Sequence, residues 1–333
     1  MKFKLLSALI ITVVSIQFAM IGQVQAELKD APKRAEGEGP FNRLILRGVT
    51  VINGAGAPPQ GPVDIVIEKN KITEVTSVGN PGIPIKGKRP VARKGDKELD
   101  LQGYYVMPGF VDMHAHIGND YQVGGSEYSF KLWLAHGITT VREPGSFAGV
   151  NYVMSHVKKS EANQITAPRI VPYFGFGMGR DKPISNPAEA REWVKQIAKD
   201  GAKGIKFFGT HPDIFSAAID EANKRNLKTM MHHAQLDVVH LNALDSARIG
   251  LNSMEHWYGL PEAMFTDKVI QNYPLDYNYN DEQHRFGEAG KLWTQTAKRG
   301  SDKWNAVIDE LIAEDFTINP TLTIYEASRD LMR

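Results

Sequence analysis

From about residue 104 onward the chain alternates short apolar runs with longer amphipathic stretches, and this rhythm restricts the fold more than any other feature. The apolar runs are 104–107 with 111–113, 139–141, 170–173, 204–208, 228–231, 251–254 and 316–319. Amphipathic stretches cover 127–136, 187–200, 213–225, 238–249 and 302–314, with Pro187 and Pro212 where a helix's first turn accepts proline. Short apolar strands separated by helices pair in parallel through crossover connections, with helices covering the sheet. Seven such strands fall one short of a closed (β/α)8 barrel. The expected class is therefore α/β, of the TIM-barrel type, with the barrel incomplete.

Residues 41–103 follow a different period. Leu44-Ile45-Leu46, Val49-Thr50-Val51-Ile52, the alternating Val63-Asp64-Ile65-Val66-Ile67 and Ile72-Thr73-Glu74-Val75 are separated by the turns Asn53-Gly54 and Lys69-Asn70-Lys71. That pattern predicts a small antiparallel β unit. Residues 79–95 read as a loop, and 258–299, rich in Tyr, Asn and Asp, as an irregular insertion after the sixth strand. Its aromatics Tyr273, Tyr277, Tyr279, Phe286 and Trp293 are expected to pack a subdomain rather than line a pocket. At the start, Lys2 and Lys4 precede an apolar run over 5–14, and Val24-Gln25-Ala26 offers a small-residue cleavage site. Residues 1–26 thus read as a secretory signal peptide and 27–40 as a flexible lead-in. Ser7, Ser15 and Gln17 interrupt the run that a spanning helix would need. The expectation is an exported protein, periplasmic or secreted, with no stable membrane anchor after cleavage.

Composition removes several classes of function. The absence of cysteine from 333 residues excludes disulfide scaffolds, Cys-ligated metal sites and thiol nucleophiles. A formal charge of +1 leaves no electrostatic footprint for nucleic acid. Ten histidines remain, and several fall at strand ends.

His114-Ala115-His116 follows the first apolar run, and residues two apart on a strand point to the same side. Two neutral imidazoles can then converge on one cation, at the end of the strand where barrel chemistry sits. Lys206 is embedded in the apolar Gly204-Ile205-Lys206-Phe207-Phe208. The bland explanation is a lysine snorkelling at a strand edge. Turned into a barrel interior, it would have to be neutral, paired or chemically modified. His232 and His233 end the next strand; neighbours alternate, so one can face inward and the other outward. His256 closes the strand after that. Each alone is unremarkable, but their shared strand-end register makes a candidate metal site.

Five segments, in order, carry a resemblance: VMPGFVDMHAH (106–116), HGITTVRE (136–143), GAKGIKFF (201–208), MHHAQ (231–235) and GLNSMEH (250–256). Together they resemble the amidohydrolase superfamily, in its imidazolonepropionase-like and prolidase-like branch, over about residues 41–256 with weaker agreement through 320–322. The resemblance implies a distorted (β/α)8 barrel, here 104–333, and a composite β-sandwich of which 41–103 is the N-terminal part. It implies two divalent metal ions, with zinc favoured and manganese, iron or cobalt compatible with N and O donors. His114 and His116 would bind the first ion, Lys206 carboxylated by CO2 would bridge both, and His233 with His256 would bind the second. His233 is preferred to His232 because Ala234 fits the family's His-Ala pattern.

The implied activity is hydrolysis of an amide or other C–N bond by a hydroxide bridging the metals, on a small-molecule or short-peptide substrate. A deaminase or ester hydrolase on the same site is the alternative, as is an inactive metal-binding fragment. A homo-oligomer is compatible with this reading. Two departures stand out. Glu143 occupies a place where the family more often has aspartate. The aspartate that the family carries on an eighth strand has no counterpart: Asp315 precedes the seventh strand and Asp330 lies in the helix-like 325–333. The expectation is a chain cut short before that strand, with no catalytic proton shuttle to assign.

Overall fold

The structure, a computed structural model, describes residues 38–119, 125–146 and 148–331. The signal segment 1–26 and nearly all of the lead-in 27–40 lie outside the described residues. The chain divides into two units, Met1–Pro108 and Gly109–Arg333.

The first unit is a five-stranded sheet. β1 (Arg43–Val51), β2 (Gln60–Glu68) and β3 (Lys71–Ser77) form the antiparallel meander that the period-2 pattern predicts. β4 (Lys97–Asp100) and β5 (Tyr105–Val106) then run parallel to β1. The apolar run at 104–107 thus belongs to this sheet rather than to the barrel, because Tyr105 and Val106 pair with Thr50 and Val51. Pro108 has no N–H for a ladder and follows immediately. Asp64 is fully buried in this unit and accepts hydrogen bonds from Arg47, Arg89 and the Gly48 amide.

The second unit is built on seven parallel strands: β6 (Phe110–Asp112), β7 (Ile138–Pro144), β8 (Arg169–Gly175), β9 (Gly204–Phe207), β10 (Lys228–Met231), β11 (Ser253–Glu255) and β12 (Thr317–Asn319). They lie side by side in sequence order, β6 to β12. The sheet curls into a half-barrel. A side chain just beyond β6 reaches one on β11, although four strands separate the two in the sheet (His114 Nδ1 to Glu255 Oε2, 2.6 Å).

The helices of this unit are α1 (Gly125–Ala135), α2 (Val150–Glu161), α3 (Pro187–Lys199), α4 (Pro212–Lys224), α5 (Ala243–Ile249), α6 (Leu260–Ala263), α7 (Glu282–Lys291), α8 (Asp302–Ala313) and α9 (Leu322–Leu331). Pro187 and Pro212 open α3 and α4, behind Asn186 and His211 as N-caps. The stretch expected as helix from 238 begins only at Ala243, because the Asn242 side chain caps the Leu244 and Asp245 amides. Between sheet and helices lies one main core, with Ile117, Phe130, Phe174, Ile205, Phe207 and Phe215 among its members. Gly204 makes the tight middle of the sheet feasible. A Cβ there would sit 2.5 Å from the Tyr173 ring and 2.6 Å from the Lys228 carbonyl. Among the described residues no helix is long and apolar enough to cross a membrane.

Candidate metal centre

Strand alternation decides which side chains enter the half-barrel. On β9 every residue is buried, but Ile205 and Phe207 join the core beneath the helices, with Phe207 against Phe176 and Phe215 at 4.9 Å between ring centroids. Lys206, between them, faces the other way and lines a cavity of about 550 Å³. On β10, Met230 is the partner of Lys206, so His232, two residues further on, enters the same cavity. Met231 packs in the core, and His233 shares its side of the strand.

This corrects the preference for His233. That residue is fully buried behind the strand, where its Nε2 pairs with Ser246 Oγ on α5 at 2.8 Å. A Cβ on Gly259 would stand 3.0 Å from its ring, so it is packed on that side. His232 is the histidine of this strand that shares the cavity with Lys206, whatever the His-Ala pattern suggests.

His114, His116 and His256 complete the histidine wall. Ring centroids are 5.2 Å apart for His114–His116, 5.1 Å for His114–His256 and 4.8 Å for His232–His256. His256 reaches this position through a left-handed backbone, φ 63°, a conformation that non-glycine residues adopt rarely. Three of the rings are held through Nδ1: His114 donates to Glu255 (2.6 Å), His116 to Glu143 (3.1 Å), and His256 pairs with Thr321 Oγ1 (2.5 Å). A metal-binding imidazole commonly donates its second ring nitrogen to a carboxylate or other oxygen in this manner, which fixes tautomer and orientation.

The two carboxylates are themselves buried and fully engaged. Glu255 also accepts from Arg142 (2.6 Å) and Asn319 (2.7 Å), and Glu143 from the Ile117 amide (2.6 Å). Glu143, in the place where the resemblance leads one to expect aspartate, has the length to reach both His116 and that amide. Among the described residues, no three His, Asp or Glu side chains close around a single metal position by themselves. The donor chemistry nevertheless suits a divalent cation: four imidazoles, three of them anchored through Nδ1, share one cavity with a lysine.

Burial sets the protonation of the cluster. It pulls His256 down to about 2, with the Lys206 charge as the next cause, and holds His114 and His232 below the ordinary imidazole value. These rings are uncharged at neutral pH and keep a lone pair for a cation. Burial also draws Lys206 down to about 7, against the opposing pull of Glu255. Its Nζ lies 5.3 Å from the Phe208 ring centroid, and no hydrogen bond or ion pair ties it to another described residue.

The amidohydrolase family model matches residues 105–287, more than half of the chain. The chain belongs to the amidohydrolase family. Adenine deaminase 2 of Desulfotalea psychrophila is 31% identical over 232 residues, covering 63% of this chain and 38% of that protein. An adenine deaminase of Geobacillus kaustophilus is 27% identical over 212 residues, covering 59% of this amidohydrolase and 36% of its relative. The chain thus spans less than half the length of these curated relatives. Among solved structures, phenylurea hydrolase B superposes with a TM-score of 0.55 at 14% identity, covering 83% of this chain and 64% of that one. A Xaa-Pro dipeptidase with methionine in its active site gives 0.51 at 17%, covering 84% and 79%. At such identities these structural likenesses speak to the fold alone.

The cavity also contains residues that motif reading passes over. Glu282, Arg285 and Phe286 of α7, with Thr321 and residues of α9, form its other wall. Phe286 therefore lines a pocket, contrary to the packing role expected of it. Glu255 carries a readable signal in retrospect: an acidic residue inside an apolar strand, directly before a candidate ligand.

Proposed function

We propose that this amidohydrolase hydrolyses a C–N bond, with amide cleavage as the leading reaction, using divalent metal held by His114, His116, His232 and His256 around Lys206. The observation that carries the reading is Lys206, a buried lysine with no ion pair that shares one cavity with His114, His116, His232 and His256. Divalent metal at such a site supplies a Lewis acid for a carbonyl and lowers the pKa of water toward ~7. The chain's own residues do the rest. Glu255, Glu143 and Thr321 hold the rings in one tautomer and orientation. An amine drawn down to about 7 is substantially neutral at physiological pH. The neutral Nζ can add to CO2, forming an N–C bond and releasing one proton to water, which would turn the lysine into an anionic oxygen ligand suited to divalent metal. Phe208, Phe286 and Ile324 give the cavity apolar wall from which water is displaced on binding.

Metal analysis of the full chain after incubation with zinc and bicarbonate tests this reading. About two ions per chain are expected by two-metal logic, falling in Lys206→Ala and recovering in part with short carboxylic acids. Metal content that is unchanged in Lys206→Ala would overturn it. Deamination of an aminopurine is the second reading, favoured by the sequence similarity to adenine deaminases. Ammonia release from adenine, with none of the acyl products from dipeptides or N-acyl amino acids, would select it. Lys2, Lys4 and the apolar run behind them support export. A mature N-terminus at residue 27, found by N-terminal sequencing, would establish processing.

A further inference from the structure

β6 is a poor support for two metal ligands. It has three residues, none of them buried, and a single neighbour among the described strands, β7. Its register against β7 also shifts between Phe110 and Val111. His114 and His116 nevertheless follow it directly, so the precision of that strand end has to come from elsewhere. One buried residue supplies it. Arg142, on β7, is 6% exposed and is not among the residues lining the cavity. Its Nε donates to the Met113 carbonyl at 2.6 Å, on the peptide that leads into His114. Its Nη2 donates to Glu255 Oε1, also at 2.6 Å. The guanidinium lies 5.3 Å from the Tyr173 ring centroid, which restricts its plane. The other Glu255 oxygen pairs with His114 Nδ1 (2.6 Å) and accepts from Asn319 Nδ2 (2.7 Å). Guanidinium, carboxylate, imidazole and the 113–114 backbone thus make a closed ring of bonds.

The ring matters because of the strands it joins. β6 and β12 are the two edges of the seven-stranded sheet, and Glu255 on β11 gathers His114 from just beyond one edge and Asn319 from the other. Glu255 also stands directly before His256. One carboxylate therefore orients the ring of one proposed ligand and ends the strand that carries another. The donors of a guanidinium sit at fixed angles, so Arg142 sets the Met113 carbonyl and the Glu255 carboxylate relative to each other; an ammonium, as a point charge, does not. We propose that Arg142 is a positioning residue of the metal centre: by fixing Met113 against Glu255 it sets His114 against His256, and with them the affinity of the site for a divalent cation. This rests on the metal-dependent reading above and adds to it a residue outside the cavity.

Zinc affinity of the full chain, measured by equilibrium dialysis against a competing chelator on protein shown to be folded by circular dichroism, tests this without turnover. Arg142→Met should weaken zinc binding roughly ten- to a hundredfold, the range for loss of a partner that orients a ligand. Arg142→Lys keeps a charge beside Glu255 and guards against a folding defect in the first variant; it should recover only part of the loss. Glu255→Gln should weaken zinc binding by a similar factor. Adding Arg142→Met to it should cost far less than Arg142→Met costs alone, because the two residues act as a unit. Wild-type zinc affinity in folded Arg142→Met or Arg142→Lys overturns the assignment and leaves Arg142 a structural residue, as do losses from Arg142→Met and Glu255→Gln that simply add. Absence of zinc from the wild type is a different failure, because it overturns the metal-dependent reading itself. Where hydrolysis is seen at saturating zinc, Arg142→Met should lower kcat with KM little changed, since Arg142 is not among the residues lining the cavity.

Discussion

Asp64 and Lys206 are both charged side chains withdrawn from water, one in each unit, and their surroundings are opposite. Asp64 is 0% exposed and its two oxygens accept four hydrogen bonds: from Arg47 and Arg89 Nε at 2.8 Å each, from Arg89 Nη2 at 2.8 Å and from the Gly48 amide at 2.9 Å. Lys206 is 2% exposed, yet no described residue bonds its Nζ. Glu255, the carboxylate that acts on it most strongly, is spent on His114, Arg142 and Asn319. Desolvating a charge costs several kcal/mol, and saturation offsets that cost. The first unit therefore contains a closed polar network that specifies its sheet. The half-barrel keeps an open one, and a base without an ion pair on a cavity wall is where chemistry is expected.

The sharpest way to break this comparison is Lys206→Met. Activity and metal binding should fall by more than the ~100-fold typical of an outer-shell partner, because a proposed ligand is removed. Stability in urea should hold or rise, because an uncompensated buried amine is replaced by an apolar chain of similar volume. Asp64→Asn should do the reverse. Removing one partner of a buried ion network typically costs about 3–5 kcal/mol, seen in the urea midpoint, while the metal content of the folded protein stays unchanged. A destabilised Lys206→Met protein with full activity would mean that the two buried charges have the same, structural role.

A smaller effect should separate two adjacent residues. His232→Ala should weaken zinc binding roughly tenfold or more with little loss of stability, since its ring faces the cavity. His233→Ala should keep zinc binding and lose about 1–3 kcal/mol, the cost of a buried hydrogen bond left half made, here at Ser246. Equilibrium dialysis and urea unfolding on the two variants check both halves. The opposite assignment would restore His233 as the cavity histidine.

That pair also marks how far the chain can be read without its fold. The strand ends bearing His114, His116, Lys206 and His256 are legible, because strand-end position and residue type are local properties. The phase of β10 is not. Whether His232 or His233 faces inward follows from Met230 lying beside Lys206, a pairing between strands that no local pattern encodes. The break after Val106 is likewise a pairing event, since Tyr105 and Val106 have as much strand character as Phe110 and Val111. α7 is hidden for a different reason. It holds Gly287 and Gly290 and buries only Ala289, so neither helix propensity nor an apolar stripe announces it, yet it supplies Glu282, Arg285 and Phe286 to the cavity.

The gentlest test uses pH, and its sign differs between the groups. Asp64 is held below the ordinary carboxylate value of 3.8 chiefly by its arginines acting against desolvation, so its stabilisation is present above that value and is lost only as pH falls below it. His256 at about 2 and His233 at about 3 stay uncharged when folded, whereas in the unfolded chain they protonate near the ordinary 6.5. Each therefore costs stability as pH falls below 6.5, at up to about 1.4 kcal/mol per pH unit. Bound zinc, which needs deprotonated imidazoles, should steepen this acid limb. Lys206 acts on the other side of neutrality. Its penalty is complete below its folded value of about 7 and fades as pH approaches the ordinary 10.5, so stability should rise with pH between the two. Urea midpoints of the metal-free wild type at pH 5, 7 and 9 should therefore climb throughout. In Lys206→Met the step from 7 to 9 should flatten while the step from 5 to 7 remains. A wild-type midpoint that does not move above pH 7 would show that Lys206 is compensated in the folded chain as Asp64 is, and the contrast between the closed and the open network would be lost.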